Sequence, residues 1–265
     1  MRHSILLSTA LAAAFLLLPG CVRGLRTARV ADSGSVALFE GSDASLSYDY
    51  SMEYVAGGVS DEVKGRINGW IVAHHILFDE AEEGAADVPA ACRQWAEELV
   101  NSYRVDTEEF LHEFDGQETW IFNWEFSMNG TFESACPSRR LQTYCENYSE
   151  YTGGAHGMYA ETYDVFDLRT GALVSEADLI APGHEQEIEA LLYESLVASL
   201  EPLAEEGEEG EPFMDSFFGA PTMNGNFSVS PDGITWHYNP YEIAPYAMGV
   251  IEVPLSWSQL KEYLL

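Results

Sequence analysis

A strictly alternating segment in the middle of the chain restricts the fold most. From Trp120 to Met128, large apolar side chains occupy every even position, and smaller or polar side chains occupy most of the odd ones. A period of two residues is that of a β-strand, whose successive side chains point to opposite faces. The segment is therefore predicted as the clearest strand of the protein, and any fold for this chain has to contain a β-sheet.

Similar patterns predict the remaining elements. Further strands are expected at Leu46–Val55, Leu141–Tyr151, Met158–Leu168, Phe227–Val229, Ile234–Tyr238 and Val250–Val253. Apolar residues at helical spacing predict helices from Ser60 to Phe78, from Pro89 onwards, from Glu185 to Leu203 and from Ser256 to Leu264. The order of these elements predicts an α+β fold, with a mainly antiparallel sheet packed with helices in two consecutive subdomains.

The first residues have the features of an export signal. Arg2 and His3 precede an apolar run, Ile5–Leu18, and Pro19 and Gly20 then lead to Cys21. The run has the length of a secretory signal and is shorter than the about 20 apolar residues that a membrane-spanning helix needs. The last four residues resemble a bacterial lipobox, so we expect lipidation of Cys21 and a membrane attachment through its acyl chains. The alternative is an ordinary secretory signal followed by an incidental cysteine.

The charge of the chain limits its partners. The chain has 12 basic and 44 acidic residues, and removal of residues 1–20 takes away one arginine, which leaves 11 − 44 = −33. Such an excess of negative charge disfavours nucleic acid and anionic membrane surfaces and favours cationic partners. It also serves solubility alone, and the composition does not separate the two roles.

Three cysteines remain after Cys21. Because an exported protein meets an oxidising compartment, one disulfide is expected. Cys136 and Cys145 flank a short predicted loop and are the favoured pair, with Cys92 as a buried free thiol in a helix. A bridge from Cys92 to either of the others remains the alternative.

Two unusual strings mark candidate functional loops. The first, Tyr151–Gly157, has three glycines and one histidine, and the second, Asn239–Gly249, has two prolines, two tyrosines and one glutamate. Glycines permit positive φ or a close approach of backbones, and tyrosine faces with a nearby carboxylate suit sugar rings or protein partners. Both strings are equally compatible with tight turns and tyrosines that close a core.

Neither string has the partners that catalysis requires. Beside His156 the sequence has no serine or cysteine in a known nucleophile motif, and no set of about three metal ligands at a recognisable spacing. His74 and His75 are adjacent on a predicted helix and point in different directions, which makes a poor chelate. We therefore predict no catalytic residue, no metal site and no cofactor, and we expect His156 to have a structural or ligand-contacting role.

The two strings, together with Asp167–Gly171 and Asp178–Ile180, identify a resemblance. Their order resembles the extracytoplasmic domain of RsiV-type anti-sigma factors and the non-catalytic N-terminal region of PdaC-type peptidoglycan deacetylases. The resemblance covers about residues 45–264 and implies a PdaC-like subdomain at 44–157 and an RsiV-like subdomain at 158–265. They follow the signal peptide expected at 1–20 and a tether expected at 21–43, where the residues are polar and small. No part of the given sequence resembles a sigma-binding segment or a deacetylase domain, so we expect neither sigma-factor control nor deacetylation.

The resemblance implies a recognition module of the bacterial cell envelope. RsiV-type domains bind lysozyme, so a basic protein of that kind or a cell-wall glycan is the expected ligand. The expected ligand-binding residues are Tyr151, Gly153, Gly154, His156, Tyr241, Glu242 and Tyr246. The alternative is a cell-wall hydrolase that uses His156 and Glu242 as proton carriers.

Overall fold

The described residues form two β-sheets and four α-helices. A computed structural model describes residues 25–78, 87–111, 122–206 and 217–265. The strands are β1 Arg26–Ala37, β2 Ser45–Gly57, β3 Trp124–Cys136, β4 Leu141–Tyr151, β5 Met158–Asp167, β6 Phe227–Val229, β7 Gly233–Tyr238 and β8 Ile251–Ser256. The helices are α1 Asp61–Trp70, α2 Val88–Leu111, α3 Glu185–Glu206 and α4 Trp257–Leu260, and a π-helical segment, Ile71–Ile76, extends α1. The α+β prediction is confirmed.

The larger sheet has the strand order β1-β2-β3-β4-β5. Strands β2 and β3 are parallel, and the other neighbouring pairs are antiparallel. Parallel neighbours need a long crossover connection. In this protein α1, its π-helical extension and α2 lie within that crossover, and they cover one face of the sheet.

The alternation that predicted a strand decides which face is covered. Phe126 and Met128 of β3 are buried in the core on the helix side of the sheet. Glu125, which lies between Trp124 and Phe126 in the same strand, points to the opposite face and is exposed. The strand begins at Trp124, and residues 112–121 lie outside the described residues. The core between this face and the helices includes Leu46, Tyr50, Met52, Val63, Ile67, Ile71, Trp95, Tyr103 and Tyr144.

The smaller sheet, β6-β7-β8, is antiparallel and has its own core. One of its faces packs with α3 and α4, whose apolar residues recur at helical spacing. The core includes Leu179, Ile188, Leu192, Leu196, Phe227, Val229, Ile234, Trp236, Val253, Leu255 and Leu260. Cys136, Leu141 and Val165 of the larger sheet also belong to this core, so the two sheets share a packed boundary.

The tether and the subdomain boundary need correction. Residues 26–37, predicted as part of a tether, form β1 and pair with the whole length of β2. The strand was missed because its inward positions are small: Gly34 leaves the space that Tyr48 fills, and an added Cβ would lie 2.5 Å from the Tyr48 hydroxyl. The boundary expected at 157/158 falls between β4 and β5 of one sheet, so the second sheet starts only after Asp167.

The expected Cys136–Cys145 disulfide is not formed, and Cys92, Cys136 and Cys145 are all free and buried. Both cysteines of the expected pair lie in strands, but Cys136 pairs in register with Leu141, whereas Cys145 pairs with Thr131. Four residues of a strand span roughly 13 Å, and a disulfide needs Cα atoms within about 7 Å. The spacing in sequence was therefore misleading, because the turn between the strands is only four residues long.

Substitution of Gly130 tests the packing of the larger sheet. A Cβ atom at this position would lie 2.7 Å from Met52 Cε and closer still to the Tyr144 hydroxyl. We expect Gly130→Ala to lower the free energy of unfolding by about 1–3 kcal/mol, because the core has to shift. Urea unfolding followed by circular dichroism measures the change.

Gly65 of α1 supplies the control, since an added Cβ there meets nothing within 4 Å. Gly65→Ala should leave the stability unchanged or raise it by up to about 1 kcal/mol through helix propensity. Equal midpoints for Gly130→Ala and the wild type would contradict the described packing.

Candidate functional site

The two strings singled out in the sequence meet at one end of the larger sheet. Tyr151–Gly157 connects β4 to β5, and Gly153 and Gly154 in it have φ values of 101° and 96°. Only glycine adopts such values without strain, so these two residues shape the turn. Tyr151 Oη donates a hydrogen bond to the Gly154 carbonyl at 3.1 Å and closes the loop on itself.

The second string is attached to β5 by a side-chain amide. The Glu161 N–H donates to Asn239 Oδ1 at 2.8 Å, and Asn239 Nδ2 donates back to the Glu161 carbonyl at 3.0 Å. Asn226, which precedes β6, makes an equivalent contact: its Oδ1 accepts from the Tyr163 N–H at 2.7 Å, and its Nδ2 donates to the Glu161 carbonyl at 2.9 Å. These amides complete the hydrogen bonding of β5 where no further strand lies beside it.

Aromatic rings join the two strings. His156 stacks on Tyr246 with ring centroids 4.4 Å apart and an interplanar angle of 26°. Tyr159 meets the same tyrosine edge to face at 5.5 Å, and Tyr241 lies 5.8 Å from it. His156 Nδ1 also donates to the Gly157 carbonyl at 2.8 Å, which orients the imidazole. Tyr246 is thus contacted from several sides. We call His156, Tyr159, Tyr241 and Tyr246 the aromatic rim.

An open groove of about 710 Å³ lies beside the rim, on the face of the larger sheet opposite the helices α1 and α2. Two adjacent rows of side chains, each running from strand to strand, form its floor. The first row is Ser33, Asp49, Ser127, Ser149 and Tyr159, and the second is Ser35, Ser47, Glu125 and Tyr151. Each row consists of residues in direct register, so the groove runs across the strands, and its small serines make it concave.

The groove is acidic. Asp49 and Glu125 are exposed on its floor, and Asp49 accepts a hydrogen bond from Ser127 Oγ at 2.9 Å. Among the described residues that line the groove there is no lysine, arginine or histidine. Two carboxylates therefore face a potential ligand without a protein cation beside them.

The predicted ligand-binding residues divide into three groups. Tyr151 and Tyr246 line the groove, while His156 and Tyr241 pack on Tyr246 at its rim. Gly153 and Gly154 shape the turn. Glu242 is not part of the groove lining, because its carboxylate accepts a hydrogen bond from Asn224 Nδ2 at 3.1 Å.

Sequence reasoning missed the floor of the groove. Asp49 and the serines could not be recognised as binding residues, because polar side chains at alternate positions occur on the solvent-facing side of any half-buried strand. The signal was nevertheless available in β3, where Glu125 and Ser127 interrupt a run of large apolar residues. What the sequence does not give is the register that brings β1 to β5 into common rows.

A buried charged cluster around His75 was also missed. His75 is 1% exposed, and its Nε2 lies 2.8 Å from Asp164 Oδ2 and its Nδ1 3.4 Å from Glu146 Oε2. Burial opposes the charged imidazole, but the hydrogen bonds to the two carboxylates outweigh it and raise the pKa of His75 to about 9. A charged His75 therefore holds the end of the π-helical segment against β4 and β5.

A second buried histidine, His237, has its pKa shifted in the opposite direction. His237 stacks on Tyr163 at 3.6 Å, its Nε2 lies 2.9 Å from Ser228 Oγ, and burial lowers its pKa to about 4. Glu252 Oε1 is 3.9 Å from Nδ1, too far for a hydrogen bond. The arrangement resembles a Ser-His-acid triad only in composition, because the Val229 N–H beside the serine donates to Thr143 Oγ1 and is not free to bind an oxyanion.

Metal-binding clusters and membrane-spanning helices are both absent from the described ranges. Within the described ranges, no group of three or more His, Cys, Asp or Glu side chains is placed to hold a metal ion. None of the helices in those ranges has the length and apolar character needed to cross a bilayer. Cys21 and the predicted signal lie outside the described residues.

Comparison with known proteins finds a family match for the segment that contains the second sheet. Residues 177–258 match the DUF3298 family, described as a protein of unknown function. The DUF3298 segment starts before α3 and ends in α4, so it contains the whole smaller sheet and the loop with Tyr241 and Tyr246. The chain has no match among curated proteins.

Two crystal structures share the fold over nearly the whole chain. A member of the DUF3298 family from Bacteroides fragilis NCTC 9343 superposes with a TM-score of 0.78 and 24% identity, over 92% of this chain and 95% of that one. A DUF3298 family protein from Pseudomonas aeruginosa PAO1 superposes with a TM-score of 0.62 and 16% identity, over 91% and 94%. At these identities the likeness establishes the fold, including the larger sheet outside the DUF3298 segment.

The pH dependence of stability tests the His75 cluster. Because the pKa of His75 is about 9 in the folded chain and 6.5 without the fold, the stabilisation by its charge is fully present below about pH 6.5. It is lost as the pH rises through about 9. We expect His75→Gln to lower the free energy of unfolding by about 3–5 kcal/mol at the acidic end of this window, with a difference that shrinks towards pH 9.

Urea unfolding of both proteins across this pH window measures the difference. His156→Gln makes the same chemical change at an exposed histidine and should give only a small difference in the free energy of unfolding. A pH-independent effect of His75→Gln would contradict a charged, buried His75.

Proposed function

We propose that this chain is a lipid-anchored, extracytoplasmic binding protein of the bacterial cell envelope. It recognises an envelope ligand, either a basic protein such as lysozyme or a cell-wall glycan. The observation that carries the proposal is the groove on which both singled-out strings converge. The lipobox-like residues before Cys21 support the anchor, and the resemblance to RsiV-type and PdaC-type modules supports the location.

The form of the groove favours binding. Its floor belongs to a five-stranded sheet, and its aromatic rim is held by stacking contacts and by the amide of Asn239. A ligand therefore meets a surface that is already shaped, which reduces the entropy lost on association. Serine hydroxyls and tyrosine rings offer the contacts that sugars use, and the exposed Asp49 and Glu125 offer those that basic proteins use.

The contacts of His156 and Glu242 favour this proposal over the hydrolase alternative. Proton transfer at a scissile bond requires the acid and the base to face a common substrate. His156 donates to a backbone carbonyl and stacks on Tyr246, whereas Glu242 accepts from Asn224. Each side chain thus has a local partner that accounts for its orientation.

Binding to a basic lysozyme and to insoluble peptidoglycan tests the proposal. We expect the protein without its predicted signal, residues 21–265, to be retained by at least one of them at about 0.01 M salt. Retention of a lysozyme should weaken at about 0.15 M, because exposed charges are then screened. Tyr246→Ala should reduce the affinity about tenfold or more, as the loss of a central aromatic residue usually does.

Tyr193→Ala is the matched control, since Tyr193 is an exposed tyrosine on α3 with 44% of its surface accessible. It should leave the affinity unchanged. No retention of either material at the lower salt concentration, with a correctly folded domain, would rule out the proposed ligand classes.

A further inference from the structure

The rows of the groove floor define the direction in which a ligand lies. Ser33 pairs in register with Asp49, Asp49 with Ser127, Ser127 with Ser149, and Ser149 with Tyr159. This row therefore crosses all five strands from the free edge at β1 to the aromatic rim. Four spacings of about 4.8 Å give a length of roughly 19 Å. A ligand that fills the groove is long and narrow, and an extended peptide of about six residues has the same length.

The charges on the floor decide between an uncharged and a cationic occupant. A neutral chain lying over Asp49 and Glu125 would remove water from both carboxylates and return no opposite charge, which is unfavourable. Arg29, which lies further along β1 and outside the groove, is no substitute, because it already binds Glu53 at 3.0 Å and Ser51 at 2.9 Å. Cations from the ligand have to fill this role.

The aromatic residues decide which cation fits best. Tyr151, Tyr159 and Tyr246 stand at the end of the rows, within reach of a side chain that also meets Glu125. A planar guanidinium stacks on an aromatic ring and still donates two parallel hydrogen bonds to a carboxylate. An ammonium group is a compact and strongly hydrated charge that lacks this planar fit.

We propose that the groove binds an extended, arginine-bearing segment of a partner protein, laid across the five strands from β1 to Tyr246. This rests on the proposed binding function and names the ligand of the same groove. Asp49 and Glu125 pair with guanidinium groups, the tyrosines stack on them, and the serines accept or donate hydrogen bonds along the segment. The small serines leave the room for its backbone.

Labelled hexapeptides test the proposed occupant by fluorescence anisotropy at low salt. The three probes alternate serine with arginine, with lysine or with glutamine. We expect the arginine probe to bind about twofold to fivefold more tightly than the lysine probe, because of stacking. The glutamine probe should bind far more weakly than both. Equal affinity of the glutamine and arginine probes would overturn the proposal in favour of an uncharged occupant such as a glycan.

Charge-removing variants locate the binding. The double variant Asp49→Asn/Glu125→Gln should weaken the arginine probe about tenfold, which corresponds to about 1.4 kcal/mol. Glu97→Gln/Glu194→Gln removes the same charge from exposed positions on α2 and α3 and should change the affinity little. Equal losses in the two double variants would show only a response to net charge and would overturn the proposal. Circular dichroism and urea midpoints establish that both variants are folded.

Two blocking variants test the direction across the strands. Ser33→Trp fills the groove at β1, and Ser149→Trp fills it at β4. If the bound segment crosses the whole sheet, the arginine probe should bind more weakly to both variants. Weaker binding to only one of them would overturn the proposed orientation across the five strands. Lysozyme binding separates this inference from the proposed function. Equal affinity of a lysozyme for the wild type and the Asp49→Asn/Glu125→Gln variant would overturn the inference and leave the proposed function standing. If lysozyme, peptidoglycan and the peptides all fail to bind, both proposals are overturned.

Discussion

Two asparagine amides hold the smaller sheet against the edge of the larger one, and the candidate site depends on them. The Glu161 carbonyl accepts from both Asn226 and Asn239, and the N–H groups of Glu161 and Tyr163 donate to the two amide oxygens. An asparagine side chain has the same donor and acceptor as a peptide group, so it replaces a neighbouring strand at this edge. The side chain also ends the sheet at β5, whereas a sixth strand would expose a new edge.

The position of the groove follows from this attachment. Asn239 begins the loop that carries Tyr246, so its two bonds to β5 set how far the tyrosine extends over the open face. His156 arrives from the other side on the β4–β5 turn and stacks on the ring. The rim is therefore built from two distant parts of the chain, while its floor comes from strands that pair independently of it. A change in the rim can alter the ligand without disturbing the sheet.

The sequence predicted the elements well where the pattern had a strong period, and poorly where side chains were small. The strand around Trp124 and Phe126 and the helix capped by Ser60 were found, and the Val63 N–H does donate to Ser60 Oγ. Strand β1 was missed because serine, alanine and glycine give little periodic contrast. The composition of the two strings marked the rim, but the floor and the His75 cluster required strand register, which has no local signal in the sequence.

The distribution of the few cations explains why the groove remains negative. In the interior, carboxylates are paired: Glu53, 7% exposed, binds Arg29, and Asp164 and Glu146 share His75. An unpaired charge there would be costly, and each of these buried carboxylates has a cationic partner. Solvated carboxylates such as Asp49 and Glu125 have no such requirement for folding, and they are left uncompensated. The same electrostatic rule that stabilises the core thus leaves a free negative surface, and it lies in the groove between β1 and Tyr246.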